Sequence, residues 1–123
     1  MRDYQSFFAE AVEYFWSRRA SGVAEERADY AGRRSEVVGG KHLDGFLIAL
    51  TNLLVSEGVA REHIFTKGTA IPGFFRVCKD WDMVVIRDRQ LLAAIEIKAQ
   101  VGPSFGNNFN NRAEEAIGNA VDL

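Results

Sequence analysis

Apolar side chains recur at helical spacing over residues 3–19, where Phe7, Phe8, Ala11, Val12, Phe15 and Trp16 fall on one stripe. The stripe predicts an N-terminal helix that ends near Gly22. Residues 21–35 are charged and small and show no period, so they read as loop or a short turn of helix. A second stripe, made of Leu43, Phe46, Leu47, Leu50, Leu53 and Leu54, predicts a helix from about Gly40 to Ser56, closed by Glu57-Gly58. Beyond Gly58 the period changes. His63 to Lys67 reads as a short strand and Ile71-Pro72-Gly73 as a turn. Phe74 to Val77 and Trp81 to Ile86 read as extended segments rich in aromatic and β-branched residues. Arg87 to Gln90 forms a polar turn, Leu91 to Ile97 a buried strand, and residues 101–111 a loop. Arg112 to Leu123 reads as a third helix. The pattern is α/β.

At 123 residues the chain fits one domain. Nine of its fourteen aromatic residues are Phe, which is enough material for a core. No apolar run reaches membrane-spanning length, and the lone Cys78 has no internal disulfide partner, so no membrane is involved and a cytoplasmic protein is expected. Net charge is −2, which argues against a free-standing nucleic-acid-binding module. It argues less against an enzyme that must gather carboxylates. Arg18, Arg19, Arg33, Arg34 and Lys41 crowd the first third of the chain, where they could steer an anionic ligand such as DNA or be ordinary exposed cations.

The informative spacing is Asp82, then thirteen residues, then Glu96-Ile97-Lys98. Glu96 and Lys98 are two apart on a strand and point to the same face, while Ile97 points the other way. If Asp88-Arg89-Gln90 forms an odd-length turn, Arg87 pairs with Leu91 and Asp82 lies opposite Glu96. Directly opposed residues have Cβ atoms roughly 4.5–5.5 Å apart. Two carboxylates so placed repel unless a cation sits between them. Mg²⁺ takes hard oxygen ligands and also binds phosphate oxygens. Lys98, beside it, could orient or deprotonate an attacking water and neutralise developing charge. The competing reading is a surface strand whose acids and lysine pair with one another, since acid-x-Lys strings are common.

This arrangement resembles the PD-(D/E)xK nuclease superfamily: a helix, a three-strand antiparallel meander carrying Asp and (Asp/Glu)-x-Lys, then a helix. Trp81 stands where the usual Pro precedes the Asp. Several stretches are similar to the XhoI family of type II restriction endonucleases. They are Gly39 to Phe46, Pro72 to Arg76, Lys79 to Asp82, Glu96 to Gln100, and above all Gly102-Pro103-Ser104-Phe105-Gly106-Asn107-Asn108-Phe109-Asn110-Asn111-Arg112 with Glu114 to Gly118. The resemblance covers about residues 33–123. It implies a restriction-endonuclease-like core at 35–123, preceded by an extra N-terminal helix and loop at 1–34. It implies Mg²⁺-dependent hydrolysis of duplex DNA at CTCGAG by a homodimer in the full-length form. It further implies that the Ile97 carbonyl completes the metal shell and that an acid on the first core helix assists, Asp44 being favoured over Glu36. The alternatives are a non-cleaving nuclease-like DNA-binding or assembly module, and another nuclease of the superfamily, for repair or junctions.

The loop Ser104 to Arg112 suits DNA contact, because Asn reads adenine edges and Arg binds guanine or phosphate. Candidate DNA-binding residues are therefore Lys41, Ser104, Asn107, Asn108, Asn110, Asn111 and Arg112. Without the resemblance, a Gly/Asn-rich turn explains the same loop. Glu114 and Glu115 complement the dipole of the last helix, or reach towards Lys98. His42 and His63 have no matching ligand set, and Cys78 reads as a small packing residue. The third helix runs to the last residue with no capping Gly or Asn. In the superfamily such a helix leads to a fourth core strand, so the expectation is a catalytic domain truncated before that strand. Leu91 to Ala99 is then an edge, and these 123 residues alone do not cut DNA specifically.

Overall fold

The computed structural model describes residues 4–28, 43–99 and 105–123. It divides into two compact units, Met1–Arg61 and Glu62–Leu123. Among the described residues no helix is long and apolar enough to cross a membrane.

The first unit packs helix α1 (Tyr4–Ala28) on helix α2 (Asp44–Ser56). Ala11 and Phe15 are buried, and the Phe15 ring meets Phe46 edge-on at 6.1 Å. Gly45 permits this close crossing, since a Cβ there would come within 3.3 Å of the Ala11 Cα and 3.1 Å of the Tyr14 ring. α1 does not stop at Gly22. Ala20, Ala24, Glu25, Glu26 and Arg27 are good helix formers, and their sum outweighs the roughly 1 kcal/mol cost of one internal glycine. α2 ends as its sequence predicts. Gly58 has φ +93°, and the amides of Gly58 and Val59 donate to the carbonyls of Val55 and Leu54.

The second unit is built on an antiparallel sheet in the order β1-β4-β5, formed by β1 (Ile64–Phe65), β4 (Met83–Arg87) and β5 (Gln90–Ile95). A two-stranded ribbon, β2 (Ala70–Ile71) with β3 (Lys79–Asp80), is inserted between β1 and β4. Met83, Val84 and Val85 of the central strand are buried, the first two almost completely. β5 is the outer strand of this sheet among the described residues. Helix α3 (Phe105–Asp122) follows. The α/β class and the helix–meander–helix order are present, with the β2–β3 ribbon as an unforeseen insertion.

Two expectations are corrected here. Phe74 to Val77 is not extended strand. The Asp122 carboxylate accepts from the amides of Phe75 (2.6 Å) and Arg76 (3.1 Å), the donors a ladder would have used. The same carboxylate takes the Arg76 guanidinium at 2.6 Å, and the Asp122 carbonyl takes the Phe74 amide. The Phe75 amide, set against burial and helped by Arg76, holds the Asp122 carboxyl below the usual carboxylate range. The Asn-rich segment is also not a loop: α3 starts at Phe105, so residues 105–111 form its first turns. Glu114 and Glu115 therefore lie well inside the helix rather than at its N-terminus.

Candidate active site

The hairpin turn holds two residues, Asp88 and Arg89, both with positive φ (53° and 65°), and Arg87 pairs with Gln90. An odd-length turn is thus not what sets the register. Ile86 pairs with Leu91, but Val85 pairs with Ala93, so Leu92 is an extra residue on β5. This bulge shifts the ladder by one. Val84 then pairs with Ala94 and Met83 with Ile95, which brings Asp82 opposite Glu96 one step beyond the ladder. The expected juxtaposition arises from a tighter turn plus a bulge.

Asp82 is fixed from both sides. Its Oδ2 accepts the Ile97 amide at 2.6 Å. Its neighbour Trp81, itself buried, donates its amide to the Thr69 carbonyl at 3.2 Å, and the Thr69 hydroxyl donates to the Trp81 carbonyl. Thr69 is buried as well, and this pair of hydrogen bonds extends the β2–β3 ribbon to the residue before Asp82.

Glu96 lies between two ammonium groups. Lys98 Nζ is 2.5 Å from Oε1, and Lys79 Nζ is 3.0 Å from Oε2. Glu96 and Lys79 are 15% and 16% exposed, while Lys98 is 42% exposed and open to an incoming ligand. Lys79 also stands 5.0 Å above the Trp81 ring, a cation–π contact. Burial pushes the Glu96 carboxyl up, but the bonds and charges of Lys98 and Lys79 outweigh it and hold the group below its ordinary value. Glu96 is therefore an anion at neutral pH. The charge pattern continues onto α3. Glu115 Oε2 is 3.9 Å from Lys98 Nζ and 2.6 Å from Arg112 Nη1. The Arg112 Nε is buried and without a hydrogen-bond partner.

The structure thus brings together Asp82, Glu96, Ile97 and Lys98, and places Arg112 one ion pair further along. Asn110 and Asn111 are exposed on α3, and Asn107 and Asn108 lie within that helix. Asp44 is the exposed first residue of α2 in the other unit. Lys41, Ser104, Glu36 and His42 lie outside the described residues. Cys78 is exposed rather than packed. Sequence reading missed Lys79 and Thr69. Lys79 was visible only as the lysine three positions before Asp82.

Among the described residues no three His, Cys, Asp or Glu side chains gather as a metal site. The carboxylate pair that the register sets opposite one another is still chemically suited to one. The Asp82 and Glu96 carboxylates and the Ile97 carbonyl are hard oxygen donors of the kind Mg²⁺ takes with waters completing the shell.

Residues 22–123 match the family described as restriction endonuclease XhoI. The chain is 42% identical, over its whole length, to the type II restriction enzyme XhoI of Xanthomonas vasicola, covering 51% of that protein. It is 43% identical, again over its whole length, to the type II restriction enzyme AbrI of Azospirillum brasilense, covering 57%. Over 75% of the chain it is 48% identical to the type II restriction enzyme BstVI of Geobacillus stearothermophilus, covering 44%. The chain spans about half the length of these curated relatives. No solved structure matches it.

Proposed function

Because this chain belongs to the XhoI restriction endonuclease family, we propose that it carries the catalytic centre of a type II site-specific deoxyribonuclease that hydrolyses duplex DNA in the cytoplasm. The observation that carries this reading is the facing pair Asp82 and Glu96 with Lys98 beside Glu96 at the end of the hairpin. Asp82, Glu96 and the Ile97 carbonyl would hold Mg²⁺. A bound divalent cation supplies Lewis acidity towards a phosphate oxygen and makes water a better nucleophile near neutral pH.

The chain's own residues do the rest. The Thr69–Trp81 bonds and the Ile97 amide fix the direction of the Asp82 carboxylate. Glu96 is kept ionised by its lysines, so it need lose no proton to act as a ligand. Lys98, half-exposed, orients the attacking water through an Nζ–H donor and offsets charge on the pentavalent phosphorus. Arg112, with Asn107, Asn108, Asn110 and Asn111 on α3 and with Lys41 and Ser104, contacts DNA. As the sequence resemblance implies, the full-length form would act as a homodimer at CTCGAG.

The test is cleavage. A polypeptide of the family's full length that carries this segment is incubated with duplex DNA bearing one CTCGAG. Defined fragments should form with Mg²⁺ and vanish with a chelator. Unchanged cutting in the chelator, or no cutting of any duplex, would contradict the proposal.

A further inference from the structure

Lys79 lies outside the Asp and Glu-x-Lys pattern, yet it makes the better buried of the two lysine contacts to Glu96. Its place is set by the β2–β3 ribbon, where it pairs with Ile71. Lys79 and Trp81 are two apart in extended chain and so share a face, which puts the ammonium over the indole. The group is thus held from below by an aromatic face and in front by a carboxylate, and is only 16% exposed. Lys98, by contrast, is 42% exposed and touches Glu96 from the solvent side.

The charges at the hairpin end balance as they stand. Asp82 and Glu96 contribute two negative charges, and Lys79 and Lys98 two positive ones. Both Glu96 oxygens already hold an ammonium. A divalent cation between Asp82 and Glu96 would leave the cluster with an excess of two positive charges. Lys98 can turn away into water, but Lys79 is pinned against Trp81.

We propose that Lys79 is a built-in counter-cation for Glu96. It occupies the carboxylate in the DNA-free protein, opposes divalent-metal binding there, and loses that opposition when a DNA phosphate brings compensating negative charge. Lys79 is a positioning residue in this account, acting through Glu96. The inference rests on the metal reading of the Asp82–Glu96 pair.

The experiment is calorimetric titration of this chain with Mn²⁺ alone, without DNA, comparing wild type, Lys79→Met, Lys79→Gln and Glu96→Gln, each checked for folding by thermal melting. Residues that touch metal ligands commonly move affinity about 10–100-fold. Both Lys79 variants should bind Mn²⁺ about tenfold more tightly than wild type, and Glu96→Gln should not bind. A lysine with a merely structural role would weaken binding when removed, because its loss would loosen Glu96. Equal or weaker binding in the Lys79 variants, alongside Glu96-dependent binding in wild type, overturns the role of Lys79 and leaves the metal site standing. Absence of Glu96-dependent binding in every variant overturns both.

Discussion

Replacing Glu96 by Gln removes one negative charge from between two ammonium groups while keeping the side chain's shape. Breaking a fully buried ion pair by removing one partner typically costs about 3–5 kcal/mol. Here Glu96 and Lys79 are 15% and 16% exposed, so water reaches both and the cost falls short of that range. The Lys98 contact is more open, and exposed pairs contribute about 0–1 kcal/mol. Relief of repulsion with Asp82 subtracts from the total, though the Ile97 amide already offsets part of the Asp82 charge. The net expectation is a loss of about 1–2 kcal/mol at pH 7, with about 4–8 °C in Tm for each kcal/mol in a unit of this size.

The pH dependence follows from the direction of the shift. The folded-state pKa of Glu96 lies below its ordinary value of 4.5. Its stabilisation is therefore complete above that value and is lost as pH falls through the folded pKa. Thermal melts of wild type and Glu96→Gln should differ by a constant amount from pH 7 down to about 5. The gap should then close as pH drops below 4.5. A gap that persists undiminished at low pH, or a Gln variant more stable than wild type at pH 7, would refute the reasoning. The second outcome would mean that Asp82 repulsion outweighs both lysines.

Gly73→Ala should destabilise the Asp122 clasp, because a Cβ there would overlap the Asp122 carboxylate; overpacking of this kind costs about 1–3 kcal/mol, and an unchanged melting temperature would show that the loop yields freely. Hydrogen exchange should find the amides of β5 less protected than those of β4, since β4 is bonded on both sides and β5 on one; equal protection would argue against this strand order. Arg112→Ala in a DNA-binding form should lower affinity, by roughly 1–3 kcal/mol if the guanidinium reads a base, with little loss of stability, as its visible bond is a partly exposed ion pair to Glu115; the reverse pattern would make it structural.

Part of this site was legible in the sequence: alternation along an extended chain predicts Glu96 and Lys98 on one face, and although β5 ends at Ile95, just before them, the two do form an ion pair. The register was right for a reason the sequence did not reveal. A two-residue turn and a bulge at Leu92 together give the offset that a three-residue turn would give. Bulges leave no composition signal in a run such as Leu91-Leu92-Ala93-Ala94. The Asn-rich start of α3 was hidden by its residue types, which favour turns over helices. The signals that could have found it were Phe105 and Phe109 at a spacing of four, and a serine directly ahead of them. Lys79 was illegible because its contact with Glu96 depends on the β2–β3 ribbon, a pairing of four residues with no period of its own. The grip of Asp122 on residues 74–76 spans more than forty positions and has no local signature.

The central claim is that Asp82, Glu96 and Lys98 together hydrolyse DNA with a divalent metal. The most direct test measures binding and cutting separately, in a family-length polypeptide carrying this segment, for wild type, Asp82→Ala and Lys98→Ala. Loss of a metal ligand or of transition-state charge stabilisation costs several kcal/mol of barrier. The account predicts that both variants fold and retain CTCGAG-duplex binding while Mg²⁺-dependent cleavage falls by about a hundredfold or more. Cleavage by folded Asp82→Ala at the wild-type rate would contradict it.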